Sequence, residues 1–251
     1  MSILRAIAAP AGRPANLLRR GNSKLGQSIL HWSVPAGLTC PGKTALCAKL
    51  CYAGRSHYNQ PNVKAALAAS HAESRAESFS RSMAAEIRRT RPRTVRIHVA
   101  GDFEDLKSVL DWMKIVKNSP GTTFYAYTRS WRVAELLAPL VKLSKLKNMH
   151  LWFSEDRETG ASPRVKGVRV AFLVAGPADE AIVPKHAHLV FREKKPSSKT
   201  PLPVAKSMNG VRVCPVEQGV VRKSGMTCEM CKICFTPARP TPCKKVAVAA
   251  N

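Results

Sequence analysis

From about residue 60 onward the apolar positions alternate between two periods. Residues 62–91 are rich in Ala, Glu and Arg and predict one long helix. Residues 94–100 (TVRIHVA) put Val95, Ile97 and Val99 on one side, the period of a strand. Residues 104–117 return to helical spacing through Leu106, Val109, Leu110, Met113 and Val116. Residues 123–128 (TFYAYT) predict a strand and 133–146 a helix that contains Pro139. Residues 150–154 (HLWFS), 168–174 (VRVAFLV) and 188–191 predict three more strands. Such alternation implies βαβ units and a mostly parallel sheet. The expected fold class is therefore α/β: a partial or complete (β/α) barrel with mostly parallel strands over residues 21–192, the alternative being an open doubly wound sheet.

The pattern stops near residue 192. Residues 192–203 (REKKPSSKTPLP) read as a linker or exposed loop. The stretch beyond it has little periodicity but holds five of the eight cysteines, so residues 193–251 are expected to be a linker and a small cysteine-rich tail. A tail this irregular cannot bury a core alone, and a bound metal would supply the missing stability. At the other end, residues 1–20 are acid-free and Arg-containing, and read as a disordered basic arm. The apolar run of residues 3–9 is too short for a secretory signal, and no run of 18 apolar residues predicts a membrane span. These features point to a cytoplasmic protein.

Charge changes the picture. Forty-one Lys and Arg face 16 Asp and Glu, a net +25, and no acid precedes Glu73. Such a surface attracts polyanions, which makes nucleic acid the expected partner. Neither a G-x-G-x-x-G nor a P-loop is present, so nucleotide binding of those kinds has no support.

The cysteines carry the candidate chemistry. In a reducing compartment, clustered cysteines read as metal ligands rather than disulfides. Cys228, Cys231 and Cys234 follow at two-residue spacing, and Cys214, next to Pro215, precedes them. That arrangement suits a four-iron cluster better than the separated C-x-x-C knuckles of zinc sites, although structural zinc is the alternative. Cys243 is a spare. Cys40, Cys47 and Cys51 form a second set with no local fourth thiol. Three ligands leave one coordination position open, as catalytic sites do. His57 as a fourth zinc ligand, or three thiols packed as small apolar groups, are the competing readings.

In α/β sheets, ligands bind beyond the C-terminal strand ends. Three predicted strands end in polar residues: Gly101–Asp102, Thr128–Arg129–Ser130 and Ser154–Glu155–Asp156. Asp102, Glu155, Asp156 and Arg129 are thus the candidate catalytic groups, and Gly101, Asp102, Thr128 and Ser130 the candidate cofactor-binding ones. A helix cap at Asp102 and Arg pairing at Glu155 and Asp156 are the structural alternatives. Trp32, Trp131, Trp152, Tyr125, His98 and His150 read as interior or pocket-wall residues.

GNSKLG (21–26), VPAGLTCPG (34–42), CYAG (51–54), AGDF (100–103), YAYTRS (125–130) and the closing CP…C-x-x-C-x-x-CF resemble the phage "gene product 88" family over residues 20–236. The layout also resembles the radical S-adenosylmethionine enzymes. That second resemblance implies an opening strand at 28–34, a cluster loop at 40–51, a cofactor-binding turn at 100–103 and S-adenosylmethionine as cofactor. The sequence departs from it in spacing, with C-x6-C-x3-C where those enzymes have C-x3-C-x2-C. Two functions follow as expectations. One is an iron–sulfur protein with one or two [4Fe-4S] clusters, a radical or redox enzyme acting on nucleic acid or another anionic substrate. The other is a metal-stapled nucleic-acid-binding protein without catalysis.

Overall fold

The computed structural model describes residues 16–193, 205–216 and 226–237. Its main sheet has seven strands in sequential order: β1 (Arg19–Arg20), β2 (Ile29–Trp32), β3 (Thr94–Ile97), β4 (Thr123–Thr128), β5 (Met149–Glu155), β6 (Arg169–Val174) and β7 (Leu189–Arg192). Strand β1 runs antiparallel to β2, and β2 to β7 are all parallel. Strands β1 and β7 are edges, and no pairing closes the sheet among the described residues. The expected α/β class with mostly parallel strands is thus observed, while the closure of a complete barrel is not seen among the described residues.

Sequential order combined with right-handed crossovers sends every helical connection to the same face. The helices are α1 (Ala45–Leu50), α2 (Pro61–Arg75), α3 (Phe79–Thr90), α4 (Leu106–Lys117) and α5 (Ala134–Ser144). Alternation along each strand then sorts the side chains. Val95, Ile97, Phe124, Ala126, Leu151 and Phe153 pack against Met83, Ile87, Trp112, Ile115, Leu136 and Leu140 of the helices. Where helices are lacking, over β6 and β7, a hairpin of β8 (Ser207–Met208) and β9 (Val211–Arg212) covers Phe172 and Val190.

None of α3, α4 and α5 covers the opposite face of the sheet. Ile29, Tyr125, Trp152, Ala171 and Leu189 form a second core there with Cys214 and Cys228. The cysteine-rich tail thus covers the face the helices leave open. It includes α6 (Cys228–Cys231) and the short 3-10 turn Ile233–Phe235.

The single helix expected over residues 62–91 is instead two. Ala76 is extended, with φ −65° and ψ 143°. Only α3 presents a buried stripe to the sheet, while α2 buries none of its residues, so one straight rod would carry no packing beyond the break. The Lys107 ammonium accounts for the carbonyls freed there, donating to Ser74 O at 3.0 Å and Ala76 O at 3.2 Å. Residues 1–15 of the basic arm, residues 194–204 of the linker, and Cys243 lie outside the described residues. The end of the arm is tied down: the Leu17 and Leu18 amides donate to the buried Glu86 carboxylate at 2.6 and 2.9 Å. No helix among the described residues is long and apolar enough to cross a membrane.

Candidate functional site

The C-terminal cysteines reach the sheet through main-chain contacts. Val213 bridges Val190 of β7, and the Cys214 amide donates to Val190 O at 2.8 Å. The start of α6 docks on the GNSKLG loop, with the Cys228 amide on Lys24 O at 2.9 Å and the Glu229 amide on Leu25 O at 3.0 Å. The Glu229 carboxylate closes the contact by accepting from the Ser28 amide and hydroxyl. Gly26 adopts φ +91°, and a Cβ there would lie 2.1 Å from the Glu229 side chain, so this loop position requires glycine. The turn after α6 rests on aromatic rings. Trp152 Nε1 donates to Cys234 O at 2.9 Å, and Tyr127 Oη donates to Cys234 Sγ at 2.8 Å. Arg169 stacks 4.0 Å from the Trp152 ring centre and donates to the Ile233 and Cys234 carbonyls at 2.8 and 2.9 Å.

Cys214, Cys228, Cys231 and Cys234 together line one recess, with Leu189 and Ile233 in its wall. Two segments 14 positions apart, at Cys214 and Cys228, thereby bring four thiols to one recess. Burial pushes the Cys234 thiol up to about 11, although the Tyr127 hydroxyl favours its thiolate.

The N-terminal cysteines lie at the C-terminal strand ends instead. Gly101, just past β3, adopts φ +83°, and a Cβ there would strike Val34 at 2.4 Å and Thr39 at 2.7 Å, so the loop leading to Cys40 packs directly on this turn. Thr44 caps α1 by accepting from the Cys47 amide at 2.9 Å, and its hydroxyl donates to Asp156 at 2.9 Å. Asp156 also accepts from Arg129 Nη2 at 3.0 Å and from the Glu158 amide at 2.8 Å. Glu158 in turn accepts from the Leu46 amide in the first turn of α1 at 2.8 Å. Arg132 holds the Gly42 carbonyl at 2.9 Å. The cysteine loop is thus tied to the ends of β4 and β5 by charged side chains.

Electrostatics reports the same gathering. Burial pushes the Cys40 thiol up to about 12, and Asp102, Cys47 and Cys51 add to the effect. Burial also raises Cys47, with Arg129 pulling the other way. Cys40, Cys47 and Cys51 therefore share an environment with Asp102, Arg129 and Asp156. Asp102 accepts from the Phe103 and Arg129 amides, each at 2.8 Å, and burial raises its pKa. Thr128 and Ser130 serve the same turn, the Ser130 hydroxyl donating to Phe103 O at 2.7 Å and the Ser130 amide to Thr128 Oγ1 at 2.9 Å. Glu155 turns away from the cysteines, binding the Ser162 amide and hydroxyl at 2.7 and 2.6 Å and His186 at 2.8 Å. His57 stacks on Tyr58 at 4.2 Å. His98 is buried and its pKa falls to about 3, and burial together with Arg169 lowers the half-buried His150 to about 4, so both rings are neutral near pH 7.

Arg96 escaped the reading of the sequence, although its place in TVRIHVA, out of phase with Val95 and Ile97, marks it as pointing away from the helices. Its guanidinium lies 5.9 Å from the Tyr125 ring centre and 5.6 Å from that of Tyr127. Its Nε is sealed from solvent with no acceptor. Burial alone would lower its pKa, but Tyr52, Tyr125, Tyr127 and Cys228 hold it above the usual value. No carboxylate pairs with it among the described residues.

No disulfide links any two of the seven described cysteines. Among the described residues no group of three or more His, Cys, Asp or Glu side chains is placed so that it could hold a metal ion, at either cysteine set. Residues 16–237 match the model of a family described as Gene product 88. The "Gene 88 protein" of Mycobacterium phage L5 is 30% identical over 151 residues, covering 55% of this chain and 62% of that protein. The "Gene 88 protein" of Mycobacterium phage D29 is 29% identical over 151 residues, covering 55% and 61%. The chain thus spans about three fifths of the length of these curated relatives. No solved structure matches it.

Proposed function

This chain belongs to the Gene product 88 family, and we propose that it is an iron–sulfur protein with an enclosed C-terminal centre and a more open N-terminal one. The observation that carries this reading is the convergence of Cys214 with Cys228, Cys231 and Cys234 on one recess. Four soft thiolate donors suit iron–sulfur clusters and zinc, and exclude the hard cations. The three cysteines at two-residue spacing favour the cluster, because they match cluster-binding runs.

The residues around the recess fit such a group. A cluster with four thiolates is anionic, and Arg96 is a half-buried cation beside Cys228 that pairs with no carboxylate among the described residues. Tyr127 supplies a hydrogen bond to a ligand sulfur. Net charge and such hydrogen bonds set the potential of an iron–sulfur centre. When bound, the cluster supplies one-electron chemistry, and the protein around it supplies ligands, a counter-charge and exclusion of water.

At the N-terminal set, three thiols leave one metal position for a small ligand. Asp156, Glu158 and Arg132 hold the loop, and Arg129 links it to β4. The resemblance to radical enzymes assigns Asp102 to a cofactor ammonium, but the C-x6-C-x3-C spacing departs from that of those enzymes. The proposal therefore stops at a redox centre with an open position and does not extend to S-adenosylmethionine.

Anaerobic purification followed by iron, sulfide and zinc analysis tests the reading. About eight irons per chain are expected for two four-iron clusters and about four for the C-terminal one alone. Zinc without iron, or no bound metal, overturns it.

A further inference from the structure

Charge is distributed unevenly between the two ends of the sheet. Acids cluster after the strands: Asp102 and Glu104 follow β3, Glu155 and Asp156 close β5, and Asp179 and Glu193 follow β6 and β7. The segments that lead into the central strands are acid-free. Residues 88–93 (RRTRPR) precede β3, 117–122 (KNSPGT) precede β4 and 144–148 (SKLKN) precede β5. Strands β3, β4 and β5 are parallel neighbours, so these three segments lie side by side at one pole. Arg88, Arg91, Arg93, Lys117, Lys145 and Lys147 are all exposed there. None of the six forms an ion pair among the described residues.

The three segments are welded into one surface. The Thr122 hydroxyl donates to Pro92 O at 2.8 Å, and the Thr123 amide to Arg93 O at 2.9 Å. The Asn148 side-chain amide donates to the Val116, Ser119 and Thr122 carbonyls at 3.0, 2.9 and 3.0 Å. The Phe124 amide returns to Asn148 O at 2.7 Å. The cations therefore stand on a braced platform rather than on independent loops.

Helices α3, α4 and α5 end at this pole, and cations are favourable at helix C-termini. Each macrodipole is worth only about half a negative charge, so three offset about 1.5 of the six positive charges. A large surplus remains, and it calls for an external polyanion.

We propose that this platform binds the phosphate backbone of double-stranded nucleic acid, at the pole opposite the N-terminal cysteines. Duplex fits better than single strand, because none of the large apolar side chains exposed among the described residues falls in these three segments, so no ring is offered for base stacking. The same lack of exposed apolar groups argues against insertion into a lipid surface. Contact is through phosphates and is indifferent to sequence. The inference stands on charge and geometry, independently of what the cysteines hold.

The test is fluorescence anisotropy of the full chain with labelled duplex DNA and duplex RNA of about 20 base pairs, over about 50 to 200 mM salt. The variant Arg93→Gln/Lys117→Gln/Lys145→Gln/Lys147→Gln should weaken binding at least about tenfold at low salt and reduce the salt slope by about 3 to 4. A control with equal charge loss elsewhere, Lys64→Gln/Arg81→Gln/Lys206→Gln/Arg212→Gln, should retain most of the affinity. The pairs Arg93→Gln/Lys117→Gln and Lys145→Gln/Lys147→Gln, used if the fourfold variant melts early, should each give about half the slope change. Binding of either duplex with this pattern supports the proposal. Equal loss in variant and control overturns it, as does absence of duplex binding, or binding only to single strands or to vesicles containing phosphatidylserine.

Discussion

The C-terminal cysteines meet the sheet through main-chain groups and aromatic rings, whereas the N-terminal cysteines meet it through carboxylates at the strand ends. Tyr127, Trp152 and Arg169 press on the first set, and Asp156, Glu158 and Arg132 tie down the second. The first set closes a hydrophobic core on the sheet face that α3, α4 and α5 leave open. The second sits over the strand ends, where its loop packs on the Gly101 turn. A site built into a core is coupled to global stability, and a site tethered by side chains at a loop is coupled mainly to its own geometry. That difference gives the two sets separate experimental signatures.

Cys231→Ser should have the largest effect. It should remove about four irons and lower the melting temperature by on the order of 10 °C, because the lid of the second core loses its brace. Cys47→Ser should remove only the N-terminal iron and leave the melting temperature within a few degrees. Equal thermal effects in the two variants would erase the contrast drawn here. Iron analysis and calorimetry on the purified variants decide it.

Next in size is Asp156→Asn. The Asp156 side chain is 0% exposed and faces Arg129, and removing one partner of such a pair costs about 3 kcal/mol. Urea unfolding should show that loss, and N-terminal iron should fall while C-terminal iron is retained. Loss of both centres would mean that the two sets are one cooperative unit.

Arg96→Gln should keep the iron but move the C-terminal centre to a more negative reduction potential, with Arg96→Lys restoring most of the shift. Spectroelectrochemistry reads this directly, and an unchanged potential would remove Arg96 from the role of counter-charge. The smallest effect belongs to Tyr127→Phe, which deletes one hydrogen bond to Cys234 worth about 1 kcal/mol. Its potential should shift in the same direction as that of Arg96→Gln, but less.

Much of the fold was legible from periodicity. The strand at 123–128 and the strand and helix neighbouring it fall where the apolar spacing put them, because a two-residue period admits only one assignment once one face is buried. The break at Ala76 was not legible, since α2 and α3 share one helix-forming composition and differ only in whether a sheet lies beneath them. Sheet closure was equally hidden. Strand pairing partners are long-range, and nothing in the spacing of β7 says that it remains an edge.

At the sites, the sequence by itself selected the seven cysteines, Asp102, Arg129 and Asp156, because their chemistry is carried by residue type and spacing. It did not separate Asp156 at the cysteine loop from Glu155 beside His186, since adjacent residues on a strand face opposite sides and only the packed neighbours say which side matters. Nor did it single out Arg96, one arginine among many. Folding alone placed that guanidinium between two tyrosines and the thiols, where the lack of a carboxylate partner among the described residues, rather than the charge itself, gives it meaning.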